Sequence, residues 1–425
     1  MPEVAPLPSL PAVNLRQTLT DYFLDAVAAA GAATTLPGRL PQDAPAGRTI
    51  VLGCGKAAAE MARVARAELL GEVRGCVVTR HGHGVGEAIS GIDVVEAGHP
   101  VPDAAGRDAA QKIMALAEQA GPTDRVLFLI SGGGSALLCA PAVGLEFAEK
   151  QAITDHLIRS GAPIEQINLV RRHLSRVKGG RLAALAGARG AQLHTYLISD
   201  VVGDDPALVA SGPSIAAPFE PEAALAVLEQ SGWTTSAATI AAIHANRPDE
   251  VPPHKVITLA TNANALAALR HRAQTDGWNV VALGAALRGE ASLVGHDHAE
   301  IARELIGRAG RHLLISGGEL TVTGASTDGC GGPNLEYAAG VLSAFAPDDP
   351  IAVFAADRDG IDGTEDNAGG FVRVGDAIPE ALAKALAAHR TYALFKALDS
   401  LVVTGPTRTN VNDIRMIAVG WDNPD

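Results

Sequence analysis

The chain has 425 residues, 47% of them hydrophobic and 19% charged, with a net charge of −13 at pH 7. That balance describes an acidic globular protein long enough for two domains, and it excludes the broad basic face that nucleic-acid binding needs. The four cysteines, Cys54, Cys76, Cys139 and Cys330, lie far apart without a C-x-x-C pair, which excludes a disulfide scaffold and a zinc knuckle and fits a reducing cytosol.

In chain order, the N-terminal MPEVAPLPSLPAV is proline-rich and lacks the basic-then-apolar pattern of a signal peptide. No apolar run approaches the about 18 residues of a membrane span. The expected location is cytoplasmic, with no membrane partner. Short β-branched runs ending in glycine then alternate with alanine-rich helical stretches, the pattern of parallel strands with crossover helices, so the fold class is α/β. Strands are predicted near 49–53, 75–79, 93–98, 125–132 and 192–200, and helices near 57–70, 104–119, 146–160, 178–187 and 221–231. The polar, proline-rich stretch 244–256 reads as a linker, after which a second lobe begins with strands near 279–284, 312–324 and 351–357. The endings FLISGGG and LLISGG echo each other across the two lobes, which raises an internal repeat as one reading.

The stretch TIVLGCGKAAAEMA places Gly53, Gly55 and Ala58 at the G-x-G-x-x-A spacing of a dinucleotide site. The next strand ends in Thr79 and Arg80 instead of an acid, which disfavours NAD and leaves NADP open. Lys56 stands at a helix start, where a cation is out of place unless an anion lies beside it. The loop Ser131, Gly132, Gly133, Gly134, Ser135 is neither a P-loop, since no lysine follows, nor a nucleophile elbow, since Leu137 holds the last glycine position. An anion cradle of unhindered N–H groups and a plain tight turn both fit it. Arg172, Lys178, Gly179 and Arg181 form a local basic cluster, suited to phosphates or to a solvated helix face. Asp200, Asp204, Asp359 and Asp362 stand just beyond strand ends, where magnesium ligands and turn residues are both at home. Together these parts make an inventory for phosphoryl transfer.

In order, GKAAAEMA, GHPVPD, LISGGGSALL, HLSRVKGGRLA, SDVVGDDPALVASGPS, SGGELTVTG, GGPNLEYA, DGIDGTEDNAGG and VTGPTRTNVNDI resemble the class II glycerate kinases, the glycerate 2-kinase family with a MOFRL-type C-terminal domain. The resemblance covers nearly the whole chain. It implies a Rossmann-like domain over 1–250, a MOFRL-type domain over 256–390, a segment 391–425 returning to the first domain, mostly parallel sheets, and an active site in the cleft between two lobes. The implied reaction is ATP- and magnesium-dependent phosphorylation of D-glycerate at its 2-hydroxyl to 2-phosphoglycerate. NADPH-dependent reduction of hydroxypyruvate, a label some relatives carry, is the alternative, as is a kinase for another small hydroxy acid. The expected partner is a small-molecule substrate, with a homodimer as an option.

By position, Lys56 corresponds to the family's catalytic lysine, and Ser131 to Ser135 to its anion cradle; Asp200 and Arg358 join Lys56 as catalytic candidates. Binding candidates are Gly53, Gly55, Arg172, Lys178, Gly179, Arg181, Ser211, Gly317, Glu319, Asn334, Asn410 and Asn412, and the metal candidates are Asp204, Asp359 and Asp362. Where the family commonly reads Gly-Gly-Arg-Asn-x-Glu, this chain has Pro333 in place of the arginine, and proline supplies neither charge nor an N–H donor. Arg358 and Arg408, each at a position where the family has an uncharged residue, are the candidates to replace that charge.

Overall fold

The structure is a computed structural model that describes residues 14–324, 329–363, 365–409 and 411–421. The first sheet contains β1 (Thr49–Cys54), β2 (Val73–Arg80), β3 (Ile92–Ala97), β4 (Arg125–Ser131), β5 (Gln192–Ile198) and β6 (Lys255–Ala260). Their order is β3-β2-β1-β4-β5-β6 with every pairing parallel, the doubly wound Rossmann arrangement. β1 and β4 are buried along their whole length, which is why both read as near-continuous apolar runs instead of alternating ones. Against them lies the helix Ala104–Gln119, as predicted; its apolar stripe Ala109, Ala110, Ile113, Met114 and Ala117 recurs at helical spacing. Asp103 caps it by accepting from the Gly106 amide at 2.9 Å.

β6 corrects the reading of the linker. Lys255–Ala260 pairs with β5 as the sixth strand of the first sheet, so the segment that looked like the start of a second lobe completes the first. The proline-rich crossing before it is a loop within one domain.

The second sheet contains β7 (Asn279–Leu287), β8 (His312–Gly318), β9 (Ile351–Ala356), β10 (Gly369–Arg373), β11 (Leu401–Val402) and β12 (Asp413–Val419), in the order β11-β10-β9-β12-β8-β7. This sheet is mixed: β7 and β8 are parallel, and the other pairings are antiparallel. β12, close to the end of the chain, inserts between β8 and β9. The helix Pro333–Leu342 is buried from Asn334 onward against this sheet, with Leu335, Tyr337 and Val341 in one cluster with Val353 and Ile417. The echoed glycine endings of β4 and β8 are not a repeat, because β4 has two parallel neighbours while β8 has antiparallel β12 at its side.

The chain divides into two compact units that interleave in sequence. One is Val27–Ala265 with Pro406–Asn412; the other gathers the residues up to Ala26, Leu266–Gly405 and the chain from Asp413. The division expected at 250, 256 and 390 therefore shifts, and the segment from 391 is split: 406–412 groups with the first unit, while β12 is a central strand of the second sheet. Among the described residues no helix is long and apolar enough to cross a membrane.

Candidate active site

In the parallel sheet, the strand order reverses between β1 and β4, and the loops beyond their carboxyl ends are where such sheets bind ligands. Both glycine loops lie there. Gly55 adopts φ +122°, and a Cβ at this position would collide with the carbonyl and hydroxyl of Ser131. The Gly55 amide donates to Val78 O at 3.1 Å, the Lys56 amide to Gly132 O at 2.9 Å and the Ala57 amide to Ser131 Oγ at 3.0 Å. Three consecutive amides that a dinucleotide motif would turn toward a pyrophosphate are thus consumed within the protein. Gly53 sits inside β1, where a Cβ would come within 2.7 Å of Leu129 O. Gly53, Gly55 and Ser131, expected as ligand contacts, are the parts that lock one loop against the other.

Gly133 is left-handed at φ +78°, and a Cβ there would lie 3.2 Å from Lys56 Cγ and 3.3 Å from His99 Nε2. The half-buried Lys56 is thereby set beside the glycine turn and His99, which lies in the GHPVPD motif but was not among the candidate site residues. Gly132 and Gly134 are buried; a Cβ on Gly134 would meet Ala210 Cβ at 2.7 Å and Cys54 Sγ at 2.8 Å. The helix that follows is a single turn, Gly134–Leu137, so an anion at this loop would meet loop amides and not a helix dipole.

Ser135 Oγ lies 2.8 Å from Ser211 Oγ, which in turn donates to Asn168 Oδ1 at 3.2 Å. Ala210, Ser211 and Gly212 have φ of +52°, +61° and +62°, two of them non-glycine residues in the left-handed region, where strain is retained for a purpose. The turn is held by Gly179 N donating to Ser211 O at 3.0 Å and Gly180 N to Gly212 O at 2.7 Å. Gly179, expected to contact ligand, supports the serine that does face Ser135. Asn168 carried no motif signal; its only trace was its place one helical turn before Arg172.

Arg172 is half-buried with Nε unpartnered among the described residues, and burial pulls its guanidinium below the usual range, with Glu220 and Asp205 opposing. Arg181 donates to Lys178 O at 2.8 Å and to Asn246 O; burial first, then Arg172, lowers it to about 10. Under-compensated cations of this kind are what an anionic ligand would neutralise. Lys178 is different. Its ammonium is fully buried and donates to Leu138 O at 3.2 Å, and burial, followed by repulsion from the equally buried Lys150, pulls it down to about 7. The structure therefore corrects Lys178 from an exposed ligand donor to an internal brace. Asp200 follows β5 and is half-buried; Asp204, left-handed at φ +54°, closes a turn with its amide on Val201 O at 3.0 Å. In the 406–412 segment Asn412 is buried at φ +68°, Arg408 is exposed at φ +58°, and Asn410 lies outside the described residues.

The second unit has its own buried polar cluster. Asp362 accepts from the amides of Asn334 at 3.0 Å and Leu335 at 3.1 Å and from Asn334 Nδ2 at 3.2 Å, capping the helix Pro333–Leu342 from outside. Pro333 is at the first helical turn, where a missing N–H costs nothing. Burial pushes the Asp362 carboxyl up to about 7 against those hydrogen bonds, and Asp413 adds to the rise. Asp359 is buried and closes an Asx turn onto the Ile361 amide at 2.8 Å. Asp359 and Asp362 are thus turn and cap residues, and among the described residues no group of three His, Cys, Asp or Glu side chains is arranged to hold a metal, Asp204 included. Arg358 is fully buried and lowered to about 9 by burial, with Asp413 and Asp357 as compensating charges. Arg415 pairs with Asp413, donates to Gly318 O at 3.1 Å and stacks over Tyr337. Gly317 is a buried residue of β8 opposite Ile414, not a loop residue; Glu319 is exposed just after it, and Asn334 gives its Nδ2 and backbone amide to the Asp362 cap while its Oδ1 stays unpartnered among the described residues.

Residues 18–245 match a domain of unknown function, DUF4147, and residues 312–413 match the MOFRL family. A protein of Agrobacterium vitis named "Putative hydroxypyruvate reductase" is 41% identical, with 96% of this chain and 95% of that protein aligned. The glycerate 2-kinase of Pyrococcus horikoshii is 36% identical over 87% of this chain and 86% of its own. The crystal structure of glycerate kinase from Thermotoga maritima superposes with a TM-score of 0.84 at 33% identity, covering 96% of this chain and 99% of that one. Two family models in the right order, and relatives this similar along almost their whole lengths, establish that the chain belongs to the MOFRL-containing glycerate 2-kinase family.

Proposed function

We propose that the protein transfers the γ-phosphoryl group of ATP to the 2-hydroxyl of D-glycerate, with magnesium, giving 2-phosphoglycerate and ADP. The observation that carries this reading is the use of the Gly55, Lys56 and Ala57 amides inside the protein, which removes the dinucleotide cradle while leaving the Lys56 side chain beside Gly133. Lys56 neutralises charge on the phosphoryl oxygens in flight, and the loop amides around Gly133 bind what Lys56 leaves uncovered. The substrate hydroxyl oxygen forms the new P–O bond as the bond to ADP breaks; Asp200, at the same sheet edge, accepts the hydroxyl proton. Magnesium would accompany the nucleotide, which supplies phosphate oxygens; Asp362 is committed to the helix cap, no group of three protein ligands is present among the described residues, and no step is assigned to the metal.

The name of the Agrobacterium vitis relative favours the second reading, NADPH-dependent reduction of hydroxypyruvate. One pair of assays separates them. Purified protein with ATP, magnesium and D-glycerate is analysed for 2- against 3-phosphoglycerate, beside protein with NADPH and hydroxypyruvate. Phosphoglycerate is expected only in the first, and Lys56→Ala abolishes it. NADPH oxidation with no phosphoglycerate would reverse the assignment.

A further inference from the structure

We propose that Asn168 fixes the direction of the hydrogen bond between Ser211 and Ser135, so that Ser135 Oγ presents lone pairs to the substrate and selects an alcohol over a keto oxygen. The inference rests on the reading of this loop region as the acceptor site. Each serine hydroxyl has one proton and two lone pairs. Ser211 spends its proton on Asn168 Oδ1 at 3.2 Å. The 2.8 Å contact between Ser211 and Ser135 therefore takes its proton from Ser135. With that proton used, Ser135 can only accept from whatever meets its half-buried hydroxyl.

The orientation is built into the backbone. Ser211 is held in the left-handed region by the Gly179 and Gly180 amides, and Asn168 projects from the helix Ile164–His173. One turn further along that helix is Arg172, whose unpartnered Nε is suited to a carboxylate. A hydroxy acid satisfies both groups: its carboxylate meets the guanidinium and, in the ground state, its hydroxyl donates to Ser135, the proton passing to Asp200 only as the P–O bond forms. The corresponding keto acid keeps the carboxylate and turns lone pairs toward lone pairs. A site that hydrogen-bonds a substrate hydroxyl rejects analogues lacking it more strongly than size alone would allow. Asn168 touches neither reacting atom in this scheme; it is a positioning residue.

The test is equilibrium binding by calorimetry, without nucleotide, of D-glycerate and of hydroxypyruvate to the wild type, Asn168→Ala, Asn168→Asp and Ser135→Ala. The readout is the ratio of the two dissociation constants, in which any effect on the shared carboxylate cancels. The wild type should favour glycerate, Asn168→Ala and Ser135→Ala should reduce the preference by about tenfold, the worth of one hydrogen bond, and Asn168→Asp should keep it, because a carboxylate still accepts from Ser211. An unchanged ratio in Asn168→Ala overturns the proposal, as does a wild type that prefers the keto acid or binds neither. If Asn168→Ala does not fold, Asn168→Asp and Ser135→Ala decide by the same ratio. Because binding needs no turnover, a protein that selects glycerate this way but transfers no phosphoryl group would refute the kinase reading and leave this one standing.

Discussion

The Ala57 amide donates a 3.0 Å hydrogen bond to the Ser131 hydroxyl, so the loop after β1 and the loop after β4 are closed onto each other where the strand order reverses. Ser131→Ala leaves that buried amide without an acceptor, which should cost about 1–3 kcal/mol. Urea unfolding measures the loss, and glycerate phosphorylation should fall with it because the loop carrying Lys56 is no longer tied to the cradle. Wild-type stability in this variant would mean that the contact does not hold the loops.

Gly133→Ala separates geometry from stability. The left-handed turn makes any side chain strained by about 1–2 kcal/mol, and the added Cβ would press on Lys56 Cγ and His99 from 3.2 and 3.3 Å. Misplacing a reacting group by about 1 Å can lower turnover by about a hundredfold. Steady-state kinetics should therefore show a loss of kcat far beyond the small shift in melting temperature. A variant with intact kcat would remove Gly133 from the site.

Lys178 predicts a pH dependence. Its pKa is depressed in the fold to about 7 from the ordinary lysine value of 10.5, so the unfolded chain binds the extra proton between those values. The contribution of this group is most favourable above the unfolded pKa, declines as pH falls toward 7, and is flat below. Lys178→Met removes that decline: unfolding free energies measured at pH 7, 8 and 9 should rise less steeply with pH than in the wild type. Identical slopes would show that the amine is not held neutral by burial.

Asp362→Ala distinguishes a helix cap from a metal ligand. Freeing the Asn334 and Leu335 amides should destabilise the second unit by about 1–3 kcal/mol. The magnesium concentration giving half-maximal activity should stay where it is. A shifted magnesium titration without loss of stability would return Asp362 to the metal.

The α/β class, five of the six strands of the parallel sheet and the glycine turns after β1 and β4 were legible in the sequence because each is a local signal: a buried strand is a short apolar run, and a turn that needs positive φ needs glycine. Tertiary structure alone decided the remainder, since it depends on which groups meet over long sequence separations. β6 reads like the opening of a new lobe until its pairing with β5 is known, and β12 enters the centre of the second sheet from the far end of the chain. Ser131, Lys178 and Asp362 have the chemistry of ligand-binding residues, yet the fold spends their polar atoms on Ala57, Leu138 and the Pro333–Leu342 helix. Asn168 runs the other way, an unremarked helix residue that acquires a role only because Ser211 is folded against it. A side chain's donors and acceptors are read from its name, but whether they remain available is settled by packing.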